Sequence, residues 1–364
     1  MGIIMVLINF IRRTPTNYLV EKDIFNTVGL SSHTLLVKRC SNQGGKTESD
    51  FISYYLAGLI EGDGHFNTPK NLKTPSGTAR VAAIEVVFAL KDRPSAELLQ
   101  SLFGGKLYNH PSGALKKKRR CAAVECKIHI STSSFFLKSP QVSPRSSQSE
   151  GETNKKITRW LIQDKKSVTK IINLINGKLR TPKINSLYEM IDFLNAKGDN
   201  IIKLTLDTSP LNSNAWLAGF IDADGHFAIK GFTSNPKSHL AIQFHLTQRK
   251  TDKSGESLEK LMLKITEFLQ VKLNNRVFSE KFHQFVICTS NRVSNKILID
   301  YLNTYPLLSS KYLDFKDWET ANNIYINKLH KDPVQFDKVR NLKANMNNNR
   351  TYFSWAHHEQ ILSR

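Results

Sequence analysis

Cysteine is scarce in this sequence, and the few cysteines form no metal-binding pattern. None of the four belongs to a CxxC pair, and none stands at the Cys/His spacing of a structural zinc site. We therefore predict buried free thiols in a reducing compartment. The four are Cys40, Cys121, Cys126 and Cys288.

Long apolar runs are also missing. The opening MGIIMVLINFIRR holds an apolar run of about 11 residues, well short of the roughly 20 that span a bilayer. No basic stretch precedes this run, as a secretory signal requires, and Val6 stands where a myristoylation signal after Gly2 needs Ser or Thr. We expect a soluble protein with no membrane partner.

The sequence lacks a calcium-binding loop of the EF-hand kind. The acidic run from Asp222 has Phe227 where the loop needs Gly and Thr233 where it needs Glu. His65 and His226 each follow a glycine, and neither has a second His or Cys at ligand spacing. We predict that both histidines are turn or strand-start residues rather than metal ligands.

Acidic residues are few relative to basic ones. The chain carries 52 Lys and Arg against 31 Asp and Glu, a formal net charge of +21 with a sequence pI near 9.7. A field of that sign attracts polyanions, chiefly nucleic acid or an acidic membrane surface. With 40% hydrophobic and 9% aromatic residues, the 364-residue chain has the composition of a folded protein of two or three units.

One phrase occurs twice: YYLAGLIEGDGHF begins at Tyr54 and AWLAGFIDADGHFAI begins at Ala215. Each copy is followed by two strand-like segments, a helical segment, a second strand pair and a closing helix. We therefore predict an α+β fold of two pseudo-symmetric αββαββα half-domains. The predicted second strand pairs are KLYNH with CAAVECKIHIS, and KLNNRVFSE with KFHQFVICTS.

The predicted boundaries follow from the repeats. Residues 1–49 form an unassigned N-terminal extension, 50–205 the first half-domain, 206–330 the second, and 331–364 a C-terminal tail. The linker KLTLDTSPLNSNA between the halves is rich in turn-forming residues. Inside the first half, the Ser-, Pro- and Gln-rich stretch at about 138–156 is predicted to be a mobile surface insertion.

Small residues in the repeated phrase indicate that its two helices pack closely. Gly58 and Gly62 are four residues apart, as are Gly219 and Ala223, so each helix has a face without bulky side chains. Each helix ends in an acidic pair and a glycine, which we expect to end it in a left-handed conformation. Because a helix C-terminus carries partial negative charge, we expect a divalent cation rather than a basic side chain there. The pairs are Glu61 with Asp63 and Asp222 with Asp224, followed by Gly64 and Gly225.

LAGLIEGDG and LAGFIDADG resemble the signature of the LAGLIDADG homing endonucleases in their two-motif, monomeric form. The resemblance implies a saddle of antiparallel sheets along the DNA major groove, and Mg²⁺-dependent cleavage of both strands of a long target with a short 3′ overhang. It assigns metal binding to Asp63 and Asp224, and places Gly62 and Ala223 in the same metal site, with Mn²⁺ as an alternative ion. The first acidic residue of each motif is expected to cap or orient the helix pair.

The resemblance also implies further catalytic residues. A basic residue late in each half lies near the metal, which corresponds to Lys183 and Lys311. A water-positioning glutamine near the end of the first strand pair corresponds to Gln248, whereas the first half has Leu90 at the matching place. We therefore expect two unequal sites. Phosphodiester hydrolysis needs an activated water and stabilised attacking and leaving oxygens, which metal ions supply.

Basic and polar residues are candidates for contacts with double-stranded DNA. The KKKRR run would contact phosphates, and is equally typical of a solvated loop or a nuclear address. Alternate polar residues of the predicted strands would read base edges, against the alternative of an ordinary exposed sheet face. The candidates are Arg80, Lys116, Lys117, Lys118, Arg119, Arg120, Gln243, His245, Arg249, Arg276 and His283.

Other functions compete with DNA cleavage. An intron maturase, an RNA-binding splicing cofactor, uses the same fold, and one protein could combine both activities with its own intron RNA as partner. Both acidic positions are intact, which favours a nuclease over a maturase or a DNA-binding transcription factor. The end HHEQILSR has no His-Asn splice junction, so an intein is not expected. Richness in Asn, Lys and Ile is typical of A+T-rich genes and, with the resemblance, points to a mitochondrial intron or alternatively a chloroplast one.

Overall fold

The computed structural model describes residues 48–111, 156–231, 240–252, 254–279 and 282–362. The described residues after Glu48 belong to one compact unit, and one apolar core runs through both repeats. All but the last two residues of the predicted N-terminal extension lie outside these ranges, as do the KKKRR run and all but the end of the predicted mobile insertion. No helix within the described ranges is long and apolar enough to cross a membrane.

Each repeat begins with its motif helix, continues through an antiparallel sheet and ends with two helices. The first comprises α1 (Glu48–Asp63), β1 (Gly64–Asn67), β2 (Ala83–Ala89), α2 (Arg93–Phe103), β3 (Lys106–Pro111), β4 (Lys156–Ile162), α3 (Lys165–Ile175) and α4 (Ile184–Asn195). The second comprises α5 (Trp216–Asp224), β5 (Gly225–Lys230), β6 (Ala241–Arg249), α6 (Glu259–Leu269), β7 (Leu273–Ser279), β8 (Phe282–Thr289), α7 (Arg292–Thr304) and α8 (Lys311–Ile326). Two tail helices follow, α9 (Pro333–Ala344) and α10 (Ala356–Leu362).

The two sheets have the same topology, with strand order β1-β2-β4-β3 in the first and β5-β6-β8-β7 in the second. The predicted α+β fold of two pseudo-symmetric halves is therefore confirmed. Within the described ranges, each half has one helix more than predicted, α4 and α8. One face of each sheet packs into the core, where Val86 and Leu246 are buried at the same register position, opposite Gly64 and Gly225. We call the opposite side of each sheet its outer face.

Among the described residues, the strand that pairs with KLYNH is β4, which the sequence analysis did not predict. In the observed register, Lys106 lies opposite Leu161. The predicted strand, residues 121–131, lies outside the described residues. In β4, Trp160 points into the core and Arg159 to the outer face, so its alternation is as strand-like as that of the segment we chose. Alternation gives no information on which segment pairs across a long connection, and a short connection was the default expectation.

The C-terminal tail, for which the repeats offer no account, packs on the second half. Val339 and Met346 are buried. The backbone N–H of Asn347 donates to Asp314 Oδ1 at 2.9 Å, and its side-chain amide donates to the carbonyl of Phe227 in β5 at 3.1 Å. Because β5 is an edge strand, the tail covers backbone groups that no neighbouring strand satisfies.

The two motif helices contact each other backbone to backbone, as their small residues predict. A Cβ atom at Gly58 would lie 2.0 Å from the carbonyl oxygen of Trp216, and one at Gly219 would lie 1.9 Å from that of Tyr55. A real Cβ atom cannot approach a backbone oxygen this closely. The helix pair can therefore form in this geometry only with glycine at both positions.

Gly64 and Gly225 do not end the helices in the expected left-handed conformation. Neither has a positive φ, and Gly225 is extended with φ −76° and ψ 154°. The chain passes directly from each helix into the first strand of its sheet. Glycine is required there by lack of space, because a Cβ at Gly64 would lie 2.6 Å from Ile60 Cα, and one at Gly225 2.7 Å from the carbonyl oxygen of Ile221.

Gly58→Ala is expected to destabilise the protein although alanine is the better helix former. The added methyl group would have to displace the backbone of the partner helix, and we expect a loss of about 3 kcal/mol or more. Thermal unfolding measures the difference from wild type. Gly198→Ala is the control, because Gly198 has φ 94° and open space around it, and the change adds only backbone strain of about 1 kcal/mol. An unchanged or raised melting temperature for Gly58→Ala would contradict the close contact.

Candidate active site

Asp63 and Asp224 lie close together at the ends of the two motif helices. A Cβ at Gly62 would lie 2.9 Å from Asp224 Oδ2, so the second carboxylate lies over the end of the first helix. Asp63 reaches solvent on one side, and protein surrounds it on the others. Burial and the adjacent Asp224 charge raise the pKa of Asp63 to about 7, and burial raises the pKa of Asp224. The fold thus brings two like charges together, one from each repeat.

Each predicted catalytic lysine caps the carbonyl end of its own motif helix. The ammonium of Lys183 donates to three carbonyls at 2.7–2.9 Å, and that of Lys311 to three at 2.7–3.2 Å. This corrects the expectation that no basic side chain would occupy the helix ends. Both positive charges also lower the pKa of Asp63, against the effect of burial. The carbonyls are those of Ile60, Glu61 and Gly64 for Lys183, and of Ile221, Asp222 and Ala223 for Lys311.

The first acidic residue of each motif is buried and accepts several hydrogen bonds. Glu61 accepts from the backbone N–H groups of Arg180 and Thr181, from the Thr181 hydroxyl and from the Trp216 indole, at 2.5–3.0 Å. Trp216 belongs to the other motif helix, so this residue orients the helix pair. Asp222 has equivalent donors, which are Tyr55 of α1, the backbone N–H groups of Leu308 and Ser309, and the Ser309 hydroxyl.

The side-chain amide of Gln248 donates to Asp224 Oδ2 at 2.8 Å. The equivalent residue in the first half is Phe88, and not Leu90 as predicted from the sequence. Gly64 pairs with Val86 as Gly225 pairs with Leu246, so the position two residues further along the strand is Phe88 in one sheet and Gln248 in the other. Phe88 has no hydrogen-bonding group. No residue of the described ranges donates a hydrogen bond to Asp63, so the two carboxylates are held unequally.

The carboxylate oxygens at the ends of the two motif helices are ligands suited to a hard divalent cation. Carboxylate oxygens are ligands that Mg²⁺ prefers, and Mg²⁺ usually takes one or two carboxylates together with water and substrate phosphates. No three metal-ligating side chains lie together in the part of the chain that the structure describes. Asp63 and Asp224 would therefore hold the ion together with water and substrate oxygens. Of the two positions beside them, Gly62 and Ala223, the carbonyl of the latter already accepts from Lys311 at 3.2 Å.

The predicted strand-start histidines, His65 and His226, are the second residues of β1 and β5, and both are exposed. Among the predicted DNA-contacting residues, Arg80 lies in the loop before β2 rather than on a strand. His283 pairs with Val277 on the side opposite the outer face, which corrects its assignment. Residues 116–120 lie outside the described ranges. The predicted residues that register places on the outer face of the second sheet are Gln243, His245, Arg249 and Arg276.

Cys288, predicted to be a buried thiol, is a half-buried free thiol on the same outer face. Its Sγ lies 4.0 Å from Nε2 of His245, which also contacts Oε1 of Gln243 at 3.1 Å and Nζ of Lys230 at 3.3 Å. Burial and the Lys230 charge lower the pKa of His245 to about 4. At neutral pH the imidazole is therefore uncharged, with one donor and one acceptor nitrogen. The other three cysteines lie outside the described residues.

An ion pair on the outer face of the first sheet escapes prediction from the sequence. Arg159 donates from Nε to Glu85 Oε1 at 2.7 Å and from Nη2 to Oε2 at 2.5 Å. The alternation of KITRWLI was the available signal. Residues 121–131 were predicted as the fourth strand, so Arg159 was not assigned to the sheet. Its position beside Glu85 was therefore not predicted.

Glu61→Gln is expected to lower stability by about 2 kcal/mol or more. The new amide nitrogen cannot accept a hydrogen bond, so at least one buried donor loses its partner, at about 1–3 kcal/mol each. Chemical unfolding measures the loss. Glu97→Gln is the control, because Glu97 is half-exposed and pairs with Arg93 on the surface of α2, where we expect a change within about 0.5 kcal/mol. Equal stability of the two variants would show that these hydrogen bonds do not stabilise the helix pair.

Comparison with known proteins bears on both the fold and the family. A family model described as LAGLIDADG endonuclease matches residues 217–322, which include the second motif. The chain is 28% identical over 346 residues to the intron-encoded DNA endonuclease aI3 of Saccharomyces cerevisiae, with coverage of 86% of this chain and 73% of that protein. It is 32% identical over 116 residues to the probable intron-encoded DNA endonuclease aI1 of Mycosarcoma maydis, with coverage of 32% of this chain and 96% of that protein.

Solved structures share the fold at low sequence identity. The I-SmaMI LAGLIDADG homing endonuclease bound to cleaved DNA superposes with a TM-score of 0.52 at 20% identity, covering 82% of this chain and 97% of that chain. The LAGLIDADG homing endonuclease I-GzeII in complex with its DNA target gives a TM-score of 0.53 at 16% identity, covering 82% and 99%. With its repeated motif, its two sheets of equal topology and these relatives, the chain belongs to the LAGLIDADG endonuclease family.

Proposed function

We propose that the chain is a site-specific homing endonuclease, which hydrolyses one phosphodiester bond in each strand of a long double-stranded DNA target. The observation that carries this proposal is the meeting of Asp63 and Asp224, one carboxylate from each repeat, at the end of the helix pair. One carboxylate per half suits a substrate whose two strands are related by a dyad. The names of the relatives, as intron-encoded DNA endonucleases, support the same activity.

Mg²⁺, with Mn²⁺ as a substitute, is the proposed cofactor, bound by Asp63 and Asp224 beside Gly62 and Ala223. A divalent cation at this place supplies charge stabilisation at the attacking and leaving oxygens of phosphodiester hydrolysis. The raised pKa values of the two carboxylates support the proposal, because positive charge between them would favour their ionised forms.

The remaining residues of the site hold the carboxylates and their charge. Lys183 and Lys311 fix the helix ends and keep positive charge beside Asp63. Gln248 donates to Asp224, and its own carbonyl oxygen is an acceptor suited to a water molecule. Phe88 offers no such group in the first half. We therefore propose that the two strands are cut at unequal rates.

The outer faces of the two sheets are the proposed DNA-binding surface. The net charge of +21 supplies sequence-independent attraction to the duplex. Two sheets laid along one groove would cover about two helical turns, or ~20 bp. Their side chains differ, so the target need not be palindromic. The proposed contacts are Gln243, His245, Arg249 and Arg276 on the outer face, with Arg80 and residues 116–120 toward phosphates.

RNA maturase activity is the second candidate function. Over 175 residues, the chain is 29% identical to the intron-encoded RNA maturase bI4 of Saccharomyces cerevisiae, with coverage of 48% of this chain and 19% of that protein. A basic protein of this kind could bind its own intron RNA as well as DNA. Cleavage is the first proposal because both carboxylates are present. If the purified protein cuts no DNA and binds intron RNA tightly, the maturase becomes the first proposal in place of the endonuclease.

We place the coding sequence in a mitochondrial intron, with a chloroplast intron as the alternative. The intron-encoded relatives and the Asn-, Lys- and Ile-rich composition support this placement. The active form is proposed to be a monomer, because one chain supplies both carboxylates. The DNA that flanks the coding sequence would then contain the two halves of the target.

Asp63→Asn and Asp224→Asn are each expected to reduce double-strand cleavage by at least about 100-fold. The amide keeps the shape of the side chain but removes the charge that holds a divalent cation, whereas DNA affinity should persist or rise. Linearisation of a plasmid that carries the target measures cleavage, and electrophoretic mobility shift measures binding. Glu97→Gln, on the exposed side of α2, is the control for loss of one carboxylate. Near wild-type linearisation by both variants would show that the site is assigned to the wrong residues.

DNA binding is expected to weaken steeply with salt. If six or more basic side chains contact phosphates, the association constant should fall by about 10³ or more between 50 and 200 mM salt. Fluorescence anisotropy with a duplex of ~20 bp measures this slope. An affinity that does not change with salt would rule out the proposed DNA-binding surface.

A further inference from the structure

The ion pair of Glu85 and Arg159 lies in the middle of the outer face of the first sheet. The strand order β1-β2-β4-β3 makes β2 and β4, which carry the two residues, the inner strands of that sheet. Both side chains point away from the core, where Val86 and Trp160 are buried. A sheet that follows the major groove presents its middle to the base edges and its rim to the phosphates.

Glu85 occupies one edge of the Arg159 guanidinium group and leaves the other edge available. Of the five N–H donors of an arginine, Nε–H and one N–H of Nη2 bind the carboxylate, at 2.7 and 2.5 Å. The end of the fork keeps two parallel N–H groups, one on Nη1 and one on Nη2. Nη1 of Arg159 donates to no acceptor among the described residues. It is also not among the described atoms that are both buried and without a partner, so it is accessible to solvent. The Arg159 side chain is 22% exposed.

We propose that Arg159, held in place by Glu85, reads a guanine in the DNA target. Two parallel N–H groups match the O6 and N7 acceptors that guanine presents in the major groove. Glu85 keeps lone pairs that can accept from the N4 amino group of the paired cytosine. Its negative charge also disfavours a phosphate at the same place. The ion pair therefore selects a G·C base pair, an inference that rests on the proposed binding of duplex DNA by the outer face.

The selected base pair lies in the inner part of the half-site bound by the first repeat. Glu85 lies opposite His65, which is two residues after Asp63. At about 3.3 Å per strand residue and about 4.8 Å between strands, the backbones of Glu85 and Arg159 lie about 8–10 Å from that of Asp63, or about three base pairs. In the second sheet, His245 and Val286 occupy the corresponding positions, so the same reading does not occur in the other half-site.

Selection of bound duplexes from random DNA of ~24 bp, without divalent cation, tests the proposal. The wild-type protein should enrich one G·C pair about three base pairs from the centre of the site. Arg159→Lys keeps the charge and removes the fork, and should lower the preference for that pair by about tenfold or more, with unchanged preferences elsewhere. Glu85→Gln keeps the size of the side chain but weakens its hold on the guanidinium, and should lower the same preference.

Arg93→Lys and Glu97→Gln are matched controls, because they alter an ion pair of the same type on α2 and should change no base preference. Thermal unfolding shows which variants are folded. If Arg159→Lys is not folded, the G·C preference of Glu85→Gln tests the proposal instead. An unchanged G·C preference, or a weakening that is uniform over all positions, would overturn the proposal. Cleavage of the selected duplex with Mg²⁺ is read separately. Duplexes that are selected through this G·C pair but never cut would overturn the proposed endonuclease and leave the reading by Arg159 intact.

Discussion

The contact between the backbones of α1 and α5 is the constraint on which the rest of the site depends. Glycines at 58 and 219 let each helix touch a carbonyl of the other, and this proximity brings Asp63 and Asp224 together. The resulting repulsion and burial oppose ionisation, as the raised pKa of Asp63 records. Apolar packing around the helix pair stabilises the fold independently of the site, which allows an unfavourable charge arrangement to persist. A divalent cation is the chemical species that such an arrangement favours.

Two acidic residues of the same motif have opposite roles, which their surroundings determine. Glu61 is buried and surrounded by donors, so it acts as a structural acceptor that links its helix to the segment leading into α4. Asp63, two residues later, has no donor within the described residues and reaches solvent. The indole of Trp216 in α5 donates a hydrogen bond to Glu61 of α1, and the hydroxyl of Tyr55 in α1 donates one to Asp222 of α5. The two repeats therefore stabilise each other at the same place where they meet to form the site.

Sequence patterns predicted what local chemistry determines. The repeated phrase predicted the helix pair, the two halves and the two carboxylates, because small residues and acidic residues at fixed spacing leave few alternatives. The strand β4 was not predicted, since alternation does not identify a partner across a long connection. The counterpart of Gln248 was assigned to Leu90 instead of Phe88 because register depends on strand pairing that spacing alone does not reveal. The pairing of Glu85 with Arg159 was missed for the same reason.

The boundary between the two halves is not a simple junction at the linker. Ser95 of the first half donates to the carbonyl of Leu308 in the second at 2.9 Å, and Lys91 donates to the carbonyl of Asn347 in the tail at 3.3 Å. The tail in turn binds the edge of β5. The second repeat therefore does not behave as an interchangeable cassette that ends with the repeated pattern. A chimaera that joins this first half to another protein's second half would have to reproduce the contacts among the first half, the second half and the tail. Modular recombination between family members is therefore constrained by residues outside both motifs.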